Sequence, residues 1–146
     1  MASLAACQPA GWLAGSVAGG KRTVDVPAEY RGLDQQKIAV LVAAPNTVLF
    51  EFPDVSLNVC RAASGRIAAD VPGAALSDPR QVVAFQRNNP QWLGVPTSQL
   101  IERLNVQRLV MIDLAEYSTH ESGNAHQFRG IVVAQISVTE AGGEVA

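Results

Sequence analysis

The segment Ile38-Ala39-Val40-Leu41-Val42-Ala43-Ala44 has no polar position, so an element here expects burial on both faces. It stops at Pro45-Asn46, is short for a helix and is rich in branched side chains. A run of this kind predicts a central strand covered from above and below, over Lys37–Ala43. After it, Val48, Phe50 and Phe52 alternate with Leu49 and Glu51 between Pro45 and Pro53, which predicts a short extended piece with Phe50 and Phe52 as a lid over the core.

The period then changes. Asp54 is a favourable N-cap, and Val55, Val59, Ala63 and Ile67 recur every four residues with Cys60 and Val71 beside them, predicting a helix over Val55–Val71 that ends at Pro72-Gly73. Gly65 interrupts it at a cost of about 1 kcal/mol relative to Ala and suggests close packing on the sheet. Cys60 reads as a small buried hydrophobe. Ala74-Ala75-Leu76 is a short strand. Ser77-Asp78-Pro79 starts another helix, with a capping side chain followed by proline, burying Val82, Val83 and Phe85 or Gln86 and stopping at Pro90. Trp92 is expected to cover the helix junction. Thr97 caps a further helix with Leu100, Ile101 and Leu104 inward, closed by a left-handed Asn105.

Two apolar runs complete the pattern, Leu109–Glu116 and Ile131–Val138. Gly123-Asn124 between them is a hairpin signal. A turn centred there pairs Ala115 with Val132, Asp113 with Ala134 and Glu121 with His126. Below Glu116 both faces are apolar and expect helical cover; above it the chain turns polar and the tip should project into water. The whole reads as an α/β single-domain sandwich with a mixed sheet, in the order strand-helix-strand-helix-helix-strand-strand, with helices covering the sheet. A right-handed crossover is expected between the first two strands.

Composition narrows what such a domain does. The 146 residues suit one domain with a substantial core. Charged residues make up 16%, below the usual share, and the formal charge of −2 gives no electrostatic reason for a nucleic-acid partner. Two cysteines, Cys7 and Cys60, are too few for a disulfide framework or a zinc cluster. No apolar run approaches the roughly 20 residues of a spanning helix.

The first 33 residues differ from the rest: small residues dominate, and neither period survives. They read as a flexible leader or tether ahead of a domain over 34–146. Within them, Leu4-Ala5-Ala6-Cys7 resembles the lipobox of bacterial lipoproteins, which implies acylation of Cys7. Six residues precede Cys7 and none is Lys or Arg, so a signal segment requires a start upstream of Met1. At the other end Ala141–Ala146 offers neither cap nor stop, and the reading expects chain beyond it.

The order of elements, together with Lys37-Ile38-Ala39-Val40-Leu41-Val42, Leu104-Asn105-Val106-Gln107-Arg108-Leu109-Val110 and Val138-Thr139-Glu140-Ala141-Gly142-Gly143-Glu144-Val145, resembles the envelope lipoprotein domain of the curli-secretion-channel (CsgG-like) family and the amino-terminal domain of TolB. Those families often carry glycine where Asn105 stands. The membrane-inserting hairpins of the curli channel have no counterpart here, so the resemblance implies no pore. It implies a lipoprotein on the periplasmic side of the bacterial envelope, at the outer membrane, that binds other envelope proteins or associates with itself.

Candidate chemistry is sparse. The first strand is followed by Ala43-Ala44-Pro45-Asn46-Thr47, without the glycines of a phosphate cradle. No Gly-x-Ser-x-Gly elbow occurs. Glu116, His120 and His126 are the residues nearest to a metal-ligand set, with Glu121 beside them. Two-residue periodicity places Glu116 and His120 on one face and Glu121 on the other, which favours a solvated tip with a Glu121–His126 pair over a metal site. Asp113, a carboxylate in an apolar strand, is a candidate pocket residue. The reading therefore names no catalytic residue and no cofactor. It expects a non-enzymatic envelope domain with a partner-binding patch on the edge strand or around Trp92, Phe50 and Phe52. The alternative is a small-ligand- or metal-binding enzyme with its site at the carboxyl end of the Lys37–Ala43 strand.

Overall fold

A computed structural model describes residues 30–121 and 124–142, apart from the side chains of 121–127. The leader with Cys7, the Gly123 turn position, the His126 side chain and the last four residues lie outside the described part. The elements are β1 (Lys37–Ala43), α1 (Asn46–Glu51), α2 (Val55–Asp70), β2 (Ala75–Leu76), α3 (Pro79–Asn88), a 3₁₀ turn (Trp92–Gly94), α4 (Thr97–Leu104), β3 (Arg108–Glu121) and β4 (Asn124–Glu140). The sheet has the order β2-β1-β3-β4, with β1 parallel to both neighbours and β4 antiparallel to β3. The expected α/β architecture is present, with one helix more than expected.

β1 is interior and walled on both faces, as its uninterrupted apolar run requires: Ile38–Ala43 are all buried. Alternation splits the core in two. Ile38, Val40 and Val42 face Val55 and Cys60 of α2 with Val110, Ile112 and Leu114 of β3. Ala39, Leu41 and Ala43 face Leu100 and Ile101 of α4 with Trp92 and Leu109. Helix α3 lies between these layers and serves both, Val83 to the first and Val82 to the second.

The β2 side of β1 is completed by an unusual set of donors. Ala75 N–H donates to the Gln36 carbonyl and Ser77 N–H to that of Ile38, each at 2.9 Å. There β2 ends. The next two alternate carbonyls are met by side chains instead: the Cys60 thiol donates to Val40 O at 3.1 Å and Gln86 Nε2 to Val42 O at 2.9 Å. A buried carbonyl must find a donor, and α2 and α3 supply what a two-residue strand cannot.

Several expectations need correction. Asn46–Glu51 is helical, not extended; the Val48 carbonyl accepts from Phe52 N–H, and Val48 and Leu49 pack on the core while Phe50 points away. A six-residue alternation cannot be told from a helical turn when both ends are proline-bounded. Asp54 makes no side-chain capping bond, and Thr97 is the first helical residue behind Pro96. Asp78 does cap, accepting from Arg80 N–H at 2.9 Å with Pro79 next. Asn105 is left-handed as expected (φ 53°, ψ 50°).

Gly65 does not approach the sheet. It is exposed, and a Cβ built there meets nothing within 4 Å. Gly65→Ala is expected to stabilise the protein by about 0.5–1 kcal/mol, because it removes unfolded-state freedom without a clash. An unchanged or lowered denaturation midpoint would contradict this placement.

The hairpin register also differs. Asp113 pairs with Gln135, Leu114 with Ala134, Tyr117 with Val132 and Glu121 with Asn124. Irregularities between Leu114 and Glu116, Ser118 and His120, and His120 and Glu121 shift the register, which a uniform count from one turn cannot anticipate. Among the described residues, helical cover on both sides of the last strand is absent as well. There β4 is an edge strand, and Phe128, Val132, Val133 and Ile136 are 81%, 57%, 49% and 64% exposed.

Candidate functional site

Two places on the molecule stand out, one concave and one flat. The concave one is a cavity of about 330 Å³ where β1 ends, walled by Leu49 of α1, Val83, Gln86 and Arg87 of α3, and Trp92 and Leu93 beyond it. Its position follows from the fold: β1 stops at Ala43, α1 turns away at Asn46, and the neighbouring helices leave the end of the ladder open. Gln86 is 8% exposed. Its amide nitrogen is committed to Val42 O, and its buried carbonyl oxygen has no hydrogen-bond partner. Arg87 reaches Asp54 at 4.0 Å across solvent, a separation and exposure at which an ion pair contributes little.

The flat place is β4. Pairs opposite one another in a sheet share a face, so Val132, Ala134 and Ile136 continue the layer of Tyr117, Leu114 and Ile112. Leu114 and Ile112 are buried, whereas Ile136 stands in water. The cover by α2 stops at β3. Among the described residues, the outer backbone edge of β4 also has no neighbouring strand.

The residues singled out from sequence do not converge. Asp113 is exposed, beyond the helical cover on the Leu109–Met111 side, and lines no described cavity. Its apolar neighbours belong to other residues of a strand whose end outruns the helices. His120 is exposed, stacks on Phe128 with ring centroids 4.7 Å apart, and has Nδ1 2.8 Å from Thr119 Oγ1. Glu116 is exposed. Among the described residues no group of three His, Cys, Asp or Glu side chains gathers as a metal site. Phe50 is 91% exposed, while Phe52 is half-buried edge-on to Tyr117 at 5.0 Å. Trp92 is buried at 7% exposure, so it is a core residue that borders the cavity and not part of an exposed patch.

Cys60 is fully buried, and burial pushes its thiol above the ordinary cysteine value. It is therefore held as a neutral hydrogen-bond donor, not poised as a thiolate nucleophile. The edge strand, where a patch was expected, carries the exposed apolar residues, and the carboxyl end of β1, where the alternative put its site, carries the cavity. The Gln86–Arg87 pair was not anticipated, since it carries no motif, and neither was the loss of helical cover over β4.

Tyr30, at the entry to the fold, donates to Glu140 Oε1 at 2.8 Å and accepts from Arg108 Nε at 3.2 Å. The same Nε lies 3.0 Å from the Gly32 carbonyl, and Arg108 pairs with Glu140 at 3.4 Å. The leader thus joins the domain beside the end of β4.

No protein-family model matches the chain, and no curated protein matches it. Among solved structures, lipoprotein GNA1162 from Neisseria meningitidis is similar over 75% of this chain and 76% of that one, with a TM-score of 0.54 and 13% identity. The curli-channel and TolB likeness is carried by sequence motifs alone. At 13% identity the structural likeness is one of fold.

Proposed function

We propose that this chain is an envelope lipoprotein domain that works by binding a protein partner, anchored on the periplasmic side of the outer membrane through an acylated Cys7. The observation that carries the reading is β4: a strand whose outer edge has no neighbouring strand among the described residues, with large apolar side chains in water. Edges of this kind invite another strand unless charge, proline or a covering element blocks them. Strand addition supplies backbone hydrogen bonds along the edge, and the side chains on either face give specificity. The shared fold with a lipoprotein supports the anchor, as does the Leu4-Ala5-Ala6-Cys7 sequence.

The anchor is tested in cells with the full gene. Cys7→Ser is expected to move the protein from the membrane to the soluble fraction, and an unchanged membrane fraction defeats the reading. Binding is tested separately. Val133→Lys with Ile136→Lys places a charge on each face of β4 and should abolish cross-linking to the envelope partner. Because both side chains are exposed, unfolding free energy should change by no more than about 0.5 kcal/mol. Retained cross-linking in that variant would remove β4 as the docking strand.

A further inference from the structure

We propose that the partner of β4 is a second copy of this chain, whose β4 adds antiparallel to the first about a two-fold axis at Ala134 and joins the two sheets into one. The inference rests on the reading of β4 as a docking strand and names what docks there.

The exposed apolar residues of β4 lie on both of its faces. Val132 and Ile136 share a face with Ala134, the face of Leu114 and Ile112, whereas Val133 stands opposite Glu116 on the other. A partner laid on one face meets only part of this set. A strand added at the edge puts side chains beside both. Such a strand must itself be apolar on both faces and carry no charge or proline to block the pairing. Gly130–Thr139 of this chain has neither a charged residue nor a proline. Among the described strands, the other edge strand, β2, has only two residues, so β4 is the segment that meets its own requirement.

The register follows from where β4 is regular and uncommitted. Ser118 pairs with Ile131 and His120 with Phe128, so β4 advances three residues against two and bulges there. At the other end Val138 packs on the core, Thr139 is buried and Glu140 is held by Tyr30 and Arg108. Ile131–Ser137 remains, and its midpoint is Ala134. Antiparallel pairing about that midpoint sets Val132 opposite Ile136 of the second copy, Val133 opposite Gln135, and Ala134 opposite itself. Charge agrees with this direction. Arg129 lies beyond one end of the stretch and Glu140 beyond the other, so antiparallel copies bring opposite charges to each end, whereas parallel copies bring like charges together. A single strand pair falls at the small end of protein interfaces, below about 1,200 Å². The copies therefore separate on dilution, and tethering both to one membrane raises the effective concentration at which they meet.

The test uses the full chain carrying Cys7→Ser, with Cys60 buried. Sedimentation equilibrium at submillimolar concentration is expected to give twice the chain mass of 15.4 kDa. Val133→Lys with Ile136→Lys, which adds lysines from both copies to the pairing, should return the single mass. Ala134→Cys should form an intermolecular disulfide under mild oxidation, because the two copies of this residue face each other across the axis. Gln135→Cys should not, since its counterpart is a diagonal neighbour about 7–8 Å away, beyond the reach of a disulfide. A monomer at submillimolar concentration, or cross-linking through Gln135→Cys as readily as through Ala134→Cys, overturns the proposal. If the unsubstituted strand sediments as a monomer while the lysine variant loses its envelope cross-link, β4 docks a different protein and only the self-pairing fails. Retention of that cross-link in the lysine variant defeats docking by β4 itself.

Discussion

Replacing Leu41 by Ala is expected to lower the unfolding free energy by about 2–5 kcal/mol, read by urea denaturation followed by circular dichroism. Leu41 has no exposed surface. It sits at the centre of the layer formed by Trp92, Leu100, Ile101 and Leu109, on a strand with neighbours on both edges. Little around it can collapse into the space left by truncation, because both the sheet and α4 are fixed by their own packing. Ile136→Ala removes a side chain of the same size from the same sheet. Ile136 is 64% exposed, so this should cost no more than about 0.5 kcal/mol. Equal losses at the two positions would mean that β1 is not the walled strand, or that β4 is covered in solution.

Gln86→Ala is expected to cost about 1–3 kcal/mol, a large effect for a polar residue, because it strands the Val42 carbonyl in the interior. Gln86→Glu is the sharper test. At neutral pH it presents a carboxylate to that carbonyl, replacing a donor by a second acceptor in a buried place, and should cost more than Ala. The folded-state pKa of the introduced acid is then raised above its unfolded value of about 4.3. Folding binds the proton, so stability should fall as pH rises from that value and recover as pH is lowered toward it. A pH-independent loss would show that Gln86 contributes packing alone. Cys60 is the parallel case one step down the edge, where the thiol donates to Val40.

How far the sequence carried these residues differs from one to the next. The apolar run that begins at Ile38 was sufficient to place β1 in the interior, since an uninterrupted apolar strand has no face to give to water. Asp78-Pro79 and Asn105 marked their helix boundaries through local chemistry, a side-chain cap, a fixed φ and a tolerated left-handed backbone. Asn46–Glu51 was misread because six residues make fewer than two helical turns, too few for the two periods to diverge. Asp113 and Trp92 were misjudged in opposite directions. The indole fills the layer under α4, whereas the carboxylate falls past the end of that cover. Composition at a position does not tell how far a neighbouring helix extends.

Neither candidate site was determined by local pattern. Gln86 was recognised as one of two possible inward residues, but its role depends on β2 ending after two residues, which leaves Val42 in need of a donor from α3. The Ile131–Val138 run is largely apolar, broken only by Gln135 and Ser137, and it forms the rim of the sheet because no further strand or helix follows it in the described fold. The sequence by itself determined the walled strand, the helix starts and the mixed α/β order, all of which rest on short-range periodicity and capping. The tertiary structure decided which apolar surfaces were covered, where the ladder ran out of backbone donors and where a cavity opened, because those depend on the lengths and reach of elements distant along the chain.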